Sequence, residues 1–250
     1  MSFLKKSLAS CLLGLMSVSL VQANIPKTLV VGIEDGYYPY EYLDDKGNFT
    51  GFDVELIELI CQELGINYRL DRGAFESLIP NLLFKKTDVV VSALSITDER
   101  KKRVNFTVPY VHPIPGVYLV NKESSYTNIN ELKTIGVQYG TTLQVYLDNQ
   151  KLAGKLRTYP SFDTAMLDLK GGRVQTVFES LDVAGKYLND PAQNLKVLGE
   201  PVYSPVISQG LGIAVRKDNP QLLEALNKAI TTLEKNGTLK ALKQKYNIVD

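Results

Sequence analysis

Residues 88–100 read DVVVSALSITDER, and this stretch decides the architecture. Three consecutive valines are followed at once by Ser92, Ser95 and Thr97, and then by Asp98, Glu99 and Arg100. An unbroken apolar run belongs to a strand covered on both faces, as in a parallel sheet. In such sheets ligands sit in the crevice outside the carboxyl ends of the strands. The hydroxyl residues after the valines therefore mark a site.

The surrounding sequence alternates. TLVVGIE (28–34) reads as a buried strand, and DVELIELICQEL (53–64) carries Val54, Ile57, Cys61 and Leu64 at helical spacing with Gly65 as its stop. INYRL (66–70) and SLIPNLLFKK (77–86) repeat strand and helix before the valines. A proline-rich stretch, VPYVHPIPG (108–116), interrupts the period. TIGVQ, TTLQVYLDNQ, KLRTY, SFDTAMLDLKGG and VQTVF then form a second strand-helix series over 134–178. LGIAVRK (211–217) starts a return, with Asn219 and Pro220 suited to a helix cap and first turn. The expectation is an α/β protein of two lobes, each a mostly parallel sheet flanked by helices. The first lobe spans 24–112 and 205–250, and the second spans 113–204. Crossings near 111–116 and 201–210 make a hinge.

The first 23 residues place Lys5 and Lys6 before an apolar run and end in a V-x-A pattern, the form of a cleavable secretory signal. Its removal takes two lysines and no acids, so 28 basic side chains become 26 against 27 acidic. That near-neutral balance argues against a nucleic-acid partner, which needs a basic stripe. Cys11 leaves with the signal and Cys61 remains, so no disulfide framework exists. His112 is the single histidine, which removes the commonest member of catalytic triads and metal sites. No metal and no cofactor is expected.

Three polar clusters fall at strand ends. Arg100 can grip a carboxylate through two parallel hydrogen bonds, the alternative being a surface pair with Asp98 or Glu99. Gly140, Thr141 and Thr142 open a helix whose free amides favour an anion, although capping alone accounts for such residues. Tyr37 and Phe75 follow neighbouring strands and can sandwich an apolar or planar group, or pack against their own lobe. No nucleophile elbow, phosphate loop or dinucleotide fingerprint occurs. These sites grip rather than react.

The motifs VGIEDGYYPYEY, GFDVELIELICQELG, DVVVSALSITDERKKRVNFTVPY, IGVQYGTT and GIAVRKDNPQLLEALNKAI resemble the periplasmic polar amino acid-binding proteins of ABC importers. The resemblance implies a type II Venus-flytrap fold, a monomer in the periplasm, and docking on a membrane permease. It implies that Arg100 binds the ligand α-carboxylate with the amides of Ser95 and Thr142. The Ala93 carbonyl and Ser95 hydroxyl face the ammonium, with Ser92, Leu94 and Thr141 beside them. Tyr37 and Phe75 enclose the side chain, which Glu34 and Gln138 help select. One departure stands out: where the family pattern has an ammonium-pairing aspartate, this chain has Ser180. Glu179, Asp182 or Glu34 takes that charge, or the ligand is not an ordinary α-amino acid. The acids near Tyr37 favour a cationic or polar amino acid. The alternative is a secreted dehydratase of the cyclohexadienyl type on the same fold, with Glu179 or Glu34 as general acid.

Overall fold

The computed structural model describes residues 25–150 and 155–248, and the signal segment at 1–23 lies outside them. The first sheet takes β1 (Thr28–Glu34), β4 (Asn67–Gly73), β5 (Val89–Val90), β6 (Asn105–Phe106) and, from the end of the chain, β12 (Ala214–Val215), in the order β4-β1-β5-β12-β6. A short hairpin of β2 (Tyr42–Leu43) and β3 (Phe49–Thr50) precedes helix α1 (Phe52–Leu64). Helices α2 (Leu78–Leu83) and α3 (Asp98–Lys101) follow β4 and β5. The second sheet holds β7 (Gly116–Asn121), β8 (Ile135–Gln138), β9 (Leu156–Tyr159), β10 (Thr176–Ser180) and β11 (Leu195–Val202), ordered β11-β7-β10-β8-β9. Between its strands run α4 (Thr142–Asn149), α5 (Phe162–Lys170) and α6 (Leu181–Leu188); α7 (Pro220–Lys235) and α8 (Thr238–Lys245) close the chain.

Each sheet is mixed in the same way. β1 pairs parallel with β4 and β5, while β12 runs against both β5 and β6. β8 pairs parallel with β9 and β10, while β7 runs against both β10 and β11. The one reversed strand in each sheet is the strand that enters after a crossing. The sequence reading of strand, helix, strand contains no place for β7 or β11; β7 follows the proline-rich crossing with no α-helix between it and β6 or β8, and β11 runs straight into the second crossing.

The valines at 88–91 behave as their pattern requires. Val89 and Val91 pack with α1 and α7 on one face of the first sheet, and Val90 packs with Leu78, Leu82 and Leu94 on the other. Leu56, Ile57 and Ile60 of α1 and Leu226 and Ile230 of α7 have no exposed surface. Each such side chain withdrawn from water stabilises the fold by about 1.5–3 kcal/mol. Gly65 ends α1 in the left-handed conformation (φ 65°), and the Asn219 side chain accepts the Leu222 amide to begin α7 with Pro220 in its first turn. Cys61 is buried and unpaired, a small hydrophobe of this core.

The two crossings run side by side. Val111 and Ser95 each bridge Leu211, and the Tyr110 amide donates to the Leu211 carbonyl. This pairing sets the carboxyl ends of β1, β4 and β5 facing those of β8 and β10. Among the described residues, no helix is long and apolar enough to cross a membrane.

Candidate functional site

A cavity lies where these strand ends meet. From the first lobe it is lined by Glu34, Tyr37, Tyr40, Phe75, Ala93, Ser95 and Arg100; from the second by Gln138, Thr141, Thr142, Leu143, Ser180 and Asp182. Ile114, Ile207, Ser208 and Leu211 come from the crossings.

Arg100 is placed by a four-residue helix. Thr97 begins α3 and accepts the Arg100 amide on Oγ1 at 3.3 Å, which turns the guanidinium back to the strand end. There Nη1 donates to the Ser95 carbonyl at 2.9 Å, and the Phe75 ring stands 5.5 Å from Cζ. Burial lowers its pKa to about 10, so it stays charged at any neutral pH. Among the described residues no carboxylate lies within ion-pair distance of it. Asp98 and Glu99 pair instead with Lys101 and Lys102. A fixed cation facing a cavity without a counter-charge suits an anionic group.

Ala93 beside it holds a left-handed backbone (φ 42°), which strains a residue with a Cβ. Asp53, fully buried on α1, accepts its amide on Oδ2 at 2.5 Å and the Tyr110 hydroxyl at 3.2 Å. That pair of bonds is what keeps the strand end in its turned conformation.

The acids of the site are held in apolar surroundings. Glu34 is 4 % exposed, and burial, with Glu179 adding repulsion, pushes its pKa up to about 8 against the pull of Gln138. Burial likewise raises Glu179 to about 7 and lifts Asp182 above the usual carboxylate range. Three hydrogen bonds tie the lobes together through these groups. Gln138 Nε2 donates to Glu34 Oε1 at 2.6 Å, the Tyr37 hydroxyl donates to Glu179 Oε1 at 2.7 Å, and the Tyr40 hydroxyl donates to Asp182 Oδ2.

Ten of the residues singled out in the sequence line this one cavity, and two do not. Ser92 faces away: its hydroxyl donates to the buried Glu41 at 2.5 Å and accepts the Glu34 amide at 3.1 Å. Leu94, 1 % exposed, points into the core beside Leu78 and Leu82, since neighbouring strand residues face opposite ways. The Thr141 hydroxyl is committed to capping α4, donating to the Gln138 carbonyl at 2.8 Å and accepting the Gln144 amide at 3.2 Å. Sequence reasoning missed Tyr40, Leu143 and the crossing residues. For Ile114, Ile207 and Ser208 no local signal exists, because irregular proline-bearing segments have no period; Tyr40 lies in a turn, where no alternation separates it from Tyr38 and Tyr42.

Two lobes closing strand ends over a buried guanidinium have the form of a solute-binding protein. The chain belongs to the bacterial extracellular solute-binding proteins, family 3, whose model matches residues 29–248. It is 35 % identical over 227 residues to ABC transporter arginine-binding protein 1 of Escherichia coli (strain K12), covering 90 % of this chain and 92 % of that one. A Salmonella typhimurium periplasmic binding protein, solved as a basis for high arginine specificity, superposes with a TM-score of 0.83 at 32 % identity, covering 88 % of this chain and 99 % of the other. An ancestral amino acid-binding protein described as a precursor of cyclohexadienyl dehydratase gives 0.78 at 30 % identity, covering 88 % and 95 %. With its family, the chain is a binding protein and not an enzyme.

Proposed function

We propose that this protein captures a cationic amino acid, arginine foremost, in the periplasm and delivers it to the permease of an ABC importer. The observation that carries the specificity is a charge count. The ionic side chains of the cavity wall are one cation, Arg100, and two acids, Glu34 and Asp182. Arginine or lysine brings one carboxylate and two cationic groups, so every charge finds an opposite. A neutral amino acid leaves one of these buried acids without a cation, so that acid stays protonated and adds no ionic bond to the ligand. Relatives named for arginine support the same reading.

In this reading Arg100 takes the α-carboxylate, with the amides of Ser95 and Thr142. Glu34, aided by Gln138, takes the side-chain cation, between the rings of Tyr37 and Phe75. The chain acts as a monomer after removal of residues 1–23, its lobes dividing near 112 and 204 and closing about the paired crossings. The dehydratase alternative loses its motive, because the wall does contain a carboxylate near Ser180.

Calorimetry on ligand-stripped protein with the twenty proteinogenic amino acids tests this. Arginine should bind tightest and lysine next. Silence across the set would overturn it, and turnover of prephenate or arogenate to an ultraviolet-absorbing product would favour the enzyme.

A further inference from the structure

Behind the cavity wall two acids stand together without a cation. Glu41 and Asp53 have no exposed surface, and among the described residues neither pairs with a lysine or an arginine. The backbone makes them neighbours, because the Asp53 amide donates to the Tyr40 carbonyl at 2.9 Å. Their side chains then hold consecutive residues of the strand end. Glu41 Oε1 accepts the Ser92 hydroxyl and Asp53 Oδ2 accepts the Ala93 amide, each at 2.5 Å, with the Tyr110 hydroxyl also on Oδ2 at 3.2 Å. The remaining oxygens, Glu41 Oε2 and Asp53 Oδ1, are enclosed and accept no hydrogen bond. The titratable groups that face the pair are Glu34, Tyr40, Tyr110 and Asp182, and none of them brings a positive charge.

We propose that Glu41 and Asp53 share a single proton, held between Glu41 Oε2 and Asp53 Oδ1, and that this bonded pair positions the Ser92–Ala93 turn of the site. Two buried carboxylates without a cation do not both ionise, since desolvation opposes each charge and each repels the other. One proton turns both orphan oxygens into the donor and acceptor of a single bond, which is strong because one partner is charged. Burial, and then repulsion from Asp53, lifts Glu41 well above the usual carboxyl range, so the proton belongs on its side. The pair braces the site at two points. It keeps Ala93 at its strained φ of 42°, and through Ser92, whose hydroxyl also accepts the Glu34 amide at 3.1 Å, it reaches the end of β1. Neither acid lines the cavity, so both are positioning residues.

The test is a double-mutant cycle on ligand-stripped protein, with urea unfolding of wild type, E41Q, D53N and E41Q/D53N at neutral pH. In either single variant the new amide donates where the proton did, so both should unfold near the wild-type midpoint. The double variant sets two amide groups against each other with no acceptor between them. Its folding equilibrium should fall ~5–150-fold further than the two single effects together. A double variant whose loss is only the two single effects combined overturns the inference, because the acids then serve their own neighbours separately. A second readout follows the proton. A raised carboxyl pKa stabilises fully below the usual carboxyl range and the gain is lost as pH rises, so between about pH 5 and 8 wild type should lose stability more steeply than E41Q. Equal slopes overturn the inference even where the double variant fails to fold. Neither measurement contains an amino acid, so the outcome is independent of the function proposed above.

Discussion

Gln138 Nε2 at the end of β8 donates to Glu34 Oε1 at the end of β1 at 2.6 Å, joining two residues 104 apart in sequence across the cleft. The bond favours the carboxylate form of Glu34, yet burial wins and holds its pKa near 8. A cationic side chain arriving there reverses the balance. Ligand binding near pH 7 should therefore release a proton, and affinity should climb as pH rises toward about 8. Calorimetry in buffers of different ionisation enthalpy reads the proton directly, and E34Q should abolish it. Without ligand the sign is opposite for stability: a raised carboxyl pKa stabilises fully below about 4.5 and the gain is lost as pH rises through about 8. The melting temperature of stripped protein should fall across that window, less steeply in E34Q.

Arg100 has no protein counter-ion among the described residues, so its removal leaves no acid stranded in the fold. R100A should keep the melting temperature while weakening binding by at least ~30-fold, the lower end for losing one partner of a buried charged pair. R100K restores charge without the two-pronged geometry and should recover only part. Calorimetry and differential scanning fluorimetry together check both halves of the expectation.

Gly140 stands at φ 78°, and a Cβ there would meet the Cβ of Glu76, on the opposite lobe, at 2.9 Å. G140A should lower stability by roughly 1 kcal/mol through the left-handed backbone alone. The clash exists only when the lobes meet, so closure should suffer by a further ~1–3 kcal/mol, or ~5–150-fold in affinity. Small-angle scattering with saturating ligand should show a larger radius of gyration than wild type.

Asp53 restrains Ala93 from behind the site. D53A strips the acceptor from a buried amide and a buried tyrosine hydroxyl, and should destabilise by ~2–4 kcal/mol in urea titrations. D53N keeps one acceptor oxygen and should recover most of the stability. If D53A unfolds at the wild-type urea midpoint, the role given to this buttress is wrong.

Much of this molecule was legible locally. The valines at 88–91 required cover on both faces, the apolar spacing of α1 required one buried face, and Thr97 before Asp98 and Glu99 announced the short helix that turns Arg100 into the cleft. The expectation of a grip on a carboxylate followed from those facts about single elements. The reversed strands β7 and β12 did not, because pairing direction depends on where a distant segment returns to the sheet.

Sequence alone determined which elements form, where strands end, and that a guanidinium stands at one of those ends, since propensity, capping and burial act over a few neighbouring residues. Only tertiary structure decided which acids line the cavity: Asp182 rather than Glu179, and Glu34 with Gln138 as its partner. Those choices depend on side-chain direction at each strand-to-helix turn and on contacts between residues more than a hundred positions apart. Free energy of that kind is set by how two lobes meet, and no local pattern records it.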